Sequence, residues 1–118
     1  MVNELCEKDP LLHFIHPSND IRVMSGQGTV GLEMVRQANA LLSSTSETLE
    51  YVFLPVGGGG LTSGVAMAVK SLQPSIKIIG VEPAGASDAH RSFNIGELLG
   101  HEKPPVTIAD GLKTVLGN

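Results

Sequence analysis

Tyr51-Val52-Phe53-Leu54-Pro55-Val56-Gly57-Gly58-Gly59-Gly60-Leu61 is the stretch that decides the fold of this 118-residue chain. Its first six residues are apolar and rich in Val, Leu and aromatic types, the composition of a buried strand. Beyond the four glycines, Val65, Ala68, Val69 and Leu72 recur at i, i+3, i+4 and i+7, one face of a helix opening at Leu61. A glycine loop between strand and helix aims several backbone N–H groups at one point. Without Cβ atoms the backbone can approach an anion closely and adopt positive φ at little cost. The free amides and the positive end of the helix then favour phosphate or carboxylate. A flexible linker is the plainer reading, but linkers rarely join a strand directly to an amphipathic helix.

Two known cradles match poorly. A P-loop needs Lys and Ser or Thr after its second glycine, whereas Gly59 and Gly64 are followed by Val65-Ala66. The dinucleotide fingerprint has Gly57 and Gly59 in place, but Thr62 stands where its third glycine belongs. Glu82 closes the next apolar run, Ile76 to Val81, near the position of a ribose-binding acid, so a dinucleotide site stays open as the runner-up.

Outward from the loop the chain reads as α/β. Residues 51–82 form strand, glycine loop, helix and strand, a βαβ unit with parallel strands and a right-handed connection. Upstream, Met34, Val35, Ala38, Leu41 and Leu42 place a helix from Gln27 to about Ser43, with a polar loop to Glu50. Gly26 and Gly28 read as helix-start glycines and Glu33 as an acid of the first turn. Leu11 to Ile15 suggests a short strand ending at His16-Pro17, and Asn19-Asp20 a turn. Residues 1–10 are polar and read as flexible, or as a helix of a longer parent. Downstream, Pro83 to Ser87 is a loop, a short helix spans Asp88 to Ser92, and Pro104-Pro105 breaks the chain before Thr107 to Lys113.

Composition narrows the function. Hydrophobic content of 42% with 17% charged residues fits a globular chain, and the net charge of −4 gives no basic footprint for nucleic acid or anionic membrane. Three Phe and one Tyr are too few for base-stacking platforms. Cys6 stands alone, so no internal disulfide forms. No apolar run reaches membrane-spanning length and the first residues lack a signal-peptide pattern, so a cytoplasmic location is expected.

Four ordered blocks carry a resemblance. They are His16-Pro17 with Ser25-Gly26-Gln27-Gly28-Thr29-Val30-Gly31-Leu32-Glu33, then Leu54 to Leu61, then Gly80-Val81-Glu82-Pro83, then Thr107-Ile108-Ala109-Asp110-Gly111-Leu112-Lys113. Together they resemble the fold-type II pyridoxal-phosphate enzymes, in the threonine dehydratase and serine racemase branch, over about Leu12 to Gly117. The resemblance implies that Gly57, Gly58, Gly59 and Gly60 with the Leu61 amide cradle the phosphate of pyridoxal 5'-phosphate. It also implies that Gly111 backs onto the cofactor ring, with Asp110 orienting neighbouring groups or capping its loop. Glu82, Asp88 and the Ala86 carbonyl correspond to a Mg²⁺ or Ca²⁺ site, the plain alternative being a strand-end acid and a helix cap. His16, Pro17, Ser18 and Asn19 match a segment at the active-site mouth, where His16 is read as structural before functional. His13, His90 and His101 show no ligand spacing and read as surface or packing residues.

The family also needs a lysine that bonds the cofactor aldehyde, and none of Lys8, Lys70, Lys77, Lys103 and Lys113 lies in that context. The chain therefore looks like about a third of such an enzyme: one incomplete α/β domain from its large domain, inactive alone. The expected function is a portion of a serine/threonine dehydratase (ammonia-lyase) or serine racemase. The alternative is a non-catalytic phosphate- or cofactor-binding module or partner subunit. An uncovered sheet face and edge predict self-association or a complementing chain.

Overall fold

The computed structural model describes residues 2–117. β1 (Tyr51–Pro55) and β2 (Lys77–Val81) run parallel, Tyr51 opposite Lys77 and Pro55 opposite Val81, with α3 (Gly60–Leu72) as the crossover. This is the βαβ unit read from the sequence. Its helix opens one residue earlier, at Gly60, and Ile76 lies just outside β2. The ladder continues past both ends, where the Lys77 amide donates to Glu50 O at 2.8 Å and the Val56 amide to Val81 O at 3.0 Å.

One face of the sheet is covered. Val52 and Leu54 point into a core with Val65 and Val69 of α3, Val35 of α2 (Ile21–Leu42) and Ile76. The other face is uncovered, as expected for an incomplete sheet: β1 alternates exposed and buried residues. Tyr51, Phe53, Ile79 and Val81 share the open face, with Phe53 66% exposed. No helix among the described residues is long and apolar enough to cross a membrane.

α2 is the larger correction. It begins at Ile21, six residues before the expected start, directly after the turn that runs through Asn19. Asp20 is the N-cap: its carboxylate accepts from the Arg22 amide at 2.9 Å and the Arg22 guanidinium at 2.6 Å. Gly26 and Gly28 therefore lie inside the helix, and Glu33 sits mid-helix, accepting from Gln37 at 2.9 Å. The packing explains the glycines. A Cβ on Gly31 would come within 2.9 Å of Val65 O, and one on Gly64 would strike Met24 O, so α2 and α3 meet backbone to backbone.

The expected strand over Leu11 to Ile15 does not form. Among the described residues β1 and β2 are the only strands, and Leu11, Leu12, Phe14 and Ile15 are all largely exposed for want of a pairing partner. The polar segment before it forms α1 (Val2–Lys8), none of whose residues is buried; Met1 lies outside the described residues. α4 (Asp88–Ile95) runs three residues beyond the expected Ser92 and ends on Gly96, whose φ of 80° suits a left-handed cap. A 3-10 turn, Asp110–Leu112, lies within the Thr107 to Lys113 block.

Candidate functional site: a glycine cradle and a buried carboxylate

Three segments distant in sequence close around the glycine loop. Gly59 takes φ 87° and caps α3, a conformation that side chains other than glycine's resist. On one side a Cβ at Gly58 would fall on Ser18 Oγ, and one at Gly60 would lie 2.8 Å from Pro17 O. On the other side a Cβ at Gly57 would lie 2.8 Å from Thr114 Oγ1 and 3.2 Å from Gly111 O. The Gly117 amide donates to Gly58 O at 3.0 Å, tying the last segment to the loop. The loop thus has a carbonyl engaged, while its amides are not. No acceptor among the described residues takes a hydrogen bond from the backbone N–H of Gly57, Gly58, Gly59, Gly60 or Leu61. Five consecutive amides at the positive end of a 13-residue helix are thus left without a partner among the described residues.

The surroundings are built to hold that shape. Thr62 Oγ1 donates back to Pro55 O at 2.9 Å, bracing the turn out of β1. His16 Nδ1 accepts from the amides of Ser18 at 3.1 Å and Asn19 at 3.0 Å, curling Pro17 and Ser18 against the glycines. That is structural work, in line with the first of its two readings. Gly111 leaves room: a Cβ there would meet nothing within 4 Å. Beside it Lys113 Nζ bonds Asp110 Oδ1 at 2.7 Å, and this partner holds the Asp110 carboxyl below the usual carboxylate range.

The acids lie at the far end of β2. Glu82 turns back to cap α4, Oε1 accepting from the Ala89 amide at 3.1 Å and Oε2 from the His90 amide at 2.7 Å. Ser87 occupies the N-cap position without a side-chain bond, so the cap comes from Glu82 and not from Asp88. Asp88 is 1% exposed, its Oδ2 accepting from the Leu116 amide at 2.7 Å. Its Oδ1 is buried without a hydrogen-bond partner, and His101 Nδ1 stands 3.6 Å away. Ala86, two residues before this acid, is equally buried. No group of three or more His, Cys, Asp or Glu residues among those described converges as a metal cluster. His101 is what the sequence reading missed: no spacing linked it to Asp88, and only the fold of 96–117 brings them together.

The family model described as pyridoxal-phosphate dependent enzyme matches residues 1–117. The chain belongs to the pyridoxal-phosphate-dependent enzymes. A serine racemase of Dictyostelium discoideum is 45% identical over 105 residues, 88% of this chain and 30% of the relative. A threonine deaminase of T.th. superposes with a TM-score of 0.88 at 44% identity, over 98% of this chain and 38% of that one. Maize serine racemase gives a TM-score of 0.85 at 38% identity, over 98% and 33%. The chain thus spans about three-tenths of the curated relatives it matches. Membership in this family favours a pyridoxal-phosphate reading over the dinucleotide one.

Proposed function

We propose that this chain supplies the cofactor-phosphate cradle of a pyridoxal-phosphate enzyme acting on serine or threonine, as an ammonia-lyase or a racemase. The observation that carries the reading is the run of five unbonded amides, Gly57 to Leu61, at the start of α3. The similarity to serine racemases and a threonine deaminase supports the substrate class. Bound pyridoxal phosphate supplies an electron sink for the bond broken at the substrate α-carbon. The chain's own share is positioning. The amides fix the phosphate with charge-assisted hydrogen bonds, and no side-chain cation is needed. Ser18 and Thr114 wall the loop on either side, and the bare edge of Gly111 leaves space for a flat ring. Asp88 with Glu82 and the Ala86 carbonyl is proposed as a site for a hard divalent cation, the unpartnered buried Asp88 Oδ1 being the feature that fits one.

A second reading is a binding module without catalysis of its own. It is favoured by how three of the five lysines are used: Lys70 bonds Pro74 O at 2.9 Å, Lys77 the Tyr51 hydroxyl at 3.3 Å and Lys113 the Asp110 carboxylate. Titration of the full chain with pyridoxal phosphate and with phosphate-free pyridoxal tests both readings. Selective binding of the phosphate form, lost in Gly58→Ala, is expected. Equal binding of the two compounds would remove the cradle. Borohydride trapping then separates a covalent aldehyde bond from simple phosphate capture.

A further inference from the structure

We infer that His16 is a positioning residue of the phosphate cradle, and that it does this work only as a neutral imidazole. The inference rests on the cradle reading and adds what holds its outer wall. His16 Nδ1 accepts from the Ser18 amide at 3.1 Å and the Asn19 amide at 3.0 Å. A ring nitrogen that accepts carries no hydrogen, so the proton of the neutral ring sits on Nε2. Both residues held in this way bear on Gly58. A Cβ on Gly58 would fall on Ser18 Oγ, and one on Gly117 would fall on Asn19 Oδ1. The Gly117 amide in turn donates to Gly58 O at 3.0 Å. Pro17 O and Ser18 Cα stand 2.8 Å and 3.0 Å from where a Gly60 Cβ would be. One imidazole lone pair therefore fixes the segment that lies against the glycine loop.

A second proton on the ring would turn Nδ1 from acceptor to donor. Three N–H groups would then point at one another, and the Ser18 and Asn19 amides would lose their acceptor. No carboxylate among the described residues pairs with His16 to offset the charge. Asp20 is engaged by Arg22 at 2.6 Å, and Asp110, on the segment packed against the other side of the loop, by Lys113 at 2.7 Å. Phe14 meets the His16 ring edge-on with centroids 5.7 Å apart, and the four glycines bring no charged side chain. Histidine is the side chain that ordinarily changes charge between about pH 5 and about pH 8, so this geometry ties the shape of the loop to acidity. Asparagine is the discriminating substitute. Its Oδ1 takes the place of Nδ1 and accepts the same amides in an Asx turn, yet it does not titrate.

The full chain is titrated by calorimetry with pyridoxine 5'-phosphate, which carries the phosphate but no aldehyde to react with lysines, at about pH 8 and about pH 5.5. Wild type, His16→Asn and His16→Ala are compared, and far-UV circular dichroism checks that each folds. The ligand takes up its own second phosphate proton at about pH 6, alike for all three proteins, so differences between them isolate His16. At the alkaline pH His16→Asn should bind as wild type does and His16→Ala about tenfold more weakly. At the acid pH wild type should fall to the level of His16→Ala while His16→Asn holds. Hydrogen exchange at the Ser18 and Asn19 amides, corrected for its intrinsic pH dependence, needs no ligand. Protection there should drop on acidification in wild type and persist in His16→Asn. Parallel changes in wild type and His16→Asn would overturn the inference and leave the cradle standing. Wild type gaining affinity over His16→Asn in acid would also overturn it, making charged His16 a direct partner of the anion. No binding by wild type at either pH would remove the cradle reading, and this inference with it.

Discussion

Gly28 and Gly64 pack α2 against α3 with no side chain between them: a Cβ on Gly64 would sit 2.9 Å from the Gly28 nitrogen, and one on Gly28 3.2 Å from the Gly64 carbonyl oxygen. Because the glycine loop lies at the first turn of α3, this contact sets where the loop's amides point. Gly64→Ala should cost about 1–3 kcal/mol, since backbone cannot yield as a flexible side chain can. Gly26, whose Cβ would meet nothing, is the control: Gly26→Ala should be neutral or stabilise by about 0.5–1 kcal/mol. Urea unfolding of the two variants checks both signs.

Gly111 and Gly58 separate stability from binding. Gly111→Ala places a methyl in open space and should leave the unfolding midpoint unchanged while weakening pyridoxal phosphate. Gly58→Ala drives a methyl into Ser18 and should weaken both. Paired melts and ligand titrations distinguish them; a Gly111→Ala protein that binds the cofactor as well as wild type would remove the ring from that position.

Glu82 holds the start of α4 through two amides. Glu82→Ala should cost about 1 kcal/mol, the usual worth of a helix cap. Hydrogen exchange at the Ala89 and His90 amides should quicken first, because those two donors lose their acceptor. Unchanged exchange there would show that the cap is made otherwise.

Asp20 gives α2 a pH-sensitive N-terminus. The Arg22 guanidinium and amide hold its carboxyl at about 2, down from 3.8. A depressed carboxyl stabilises the folded state fully above the unfolded value and loses that contribution as pH falls through the folded one. Wild type should therefore be more stable than Asp20→Asn at about pH 5, and the difference should shrink between about pH 4 and about pH 2. Parallel melts across that range test it, and a difference undiminished at the acid end would contradict it.

The βαβ unit was legible because its signals are local: an apolar run, a glycine break, a 3.6-residue stripe and a second apolar run. The start of α2 was not. Ser25-Gly26-Gln27-Gly28 reads as a break when only propensity is considered, and the burial that repays Gly28 lies on α3, at Gly64 and Ala68. Leu11 to Ile15 failed the opposite way, since a strand-like composition forms no strand without a neighbour to pair. At the cradle the glycines were readable, but Ser18 and Thr114 as its walls were not. At the acids, Glu82 and Asp88 stood out in the sequence, but their division of labour, one capping and one buried beside His101, depends on where residues 96–117 return.

The cradle is assembled from residues 16–19, 57–61 and 111–117, so an anion seated there is held by segments that only the folded chain brings together. Whatever binds it acts as a noncovalent staple between the two ends of the sequence. Ligand at about a hundred times its Kd would add about 2.7 kcal/mol to the folded state. For a chain of this size that is a large share of total stability, so cofactor supply would set how much of the protein survives in the cell as well as how much of it is loaded.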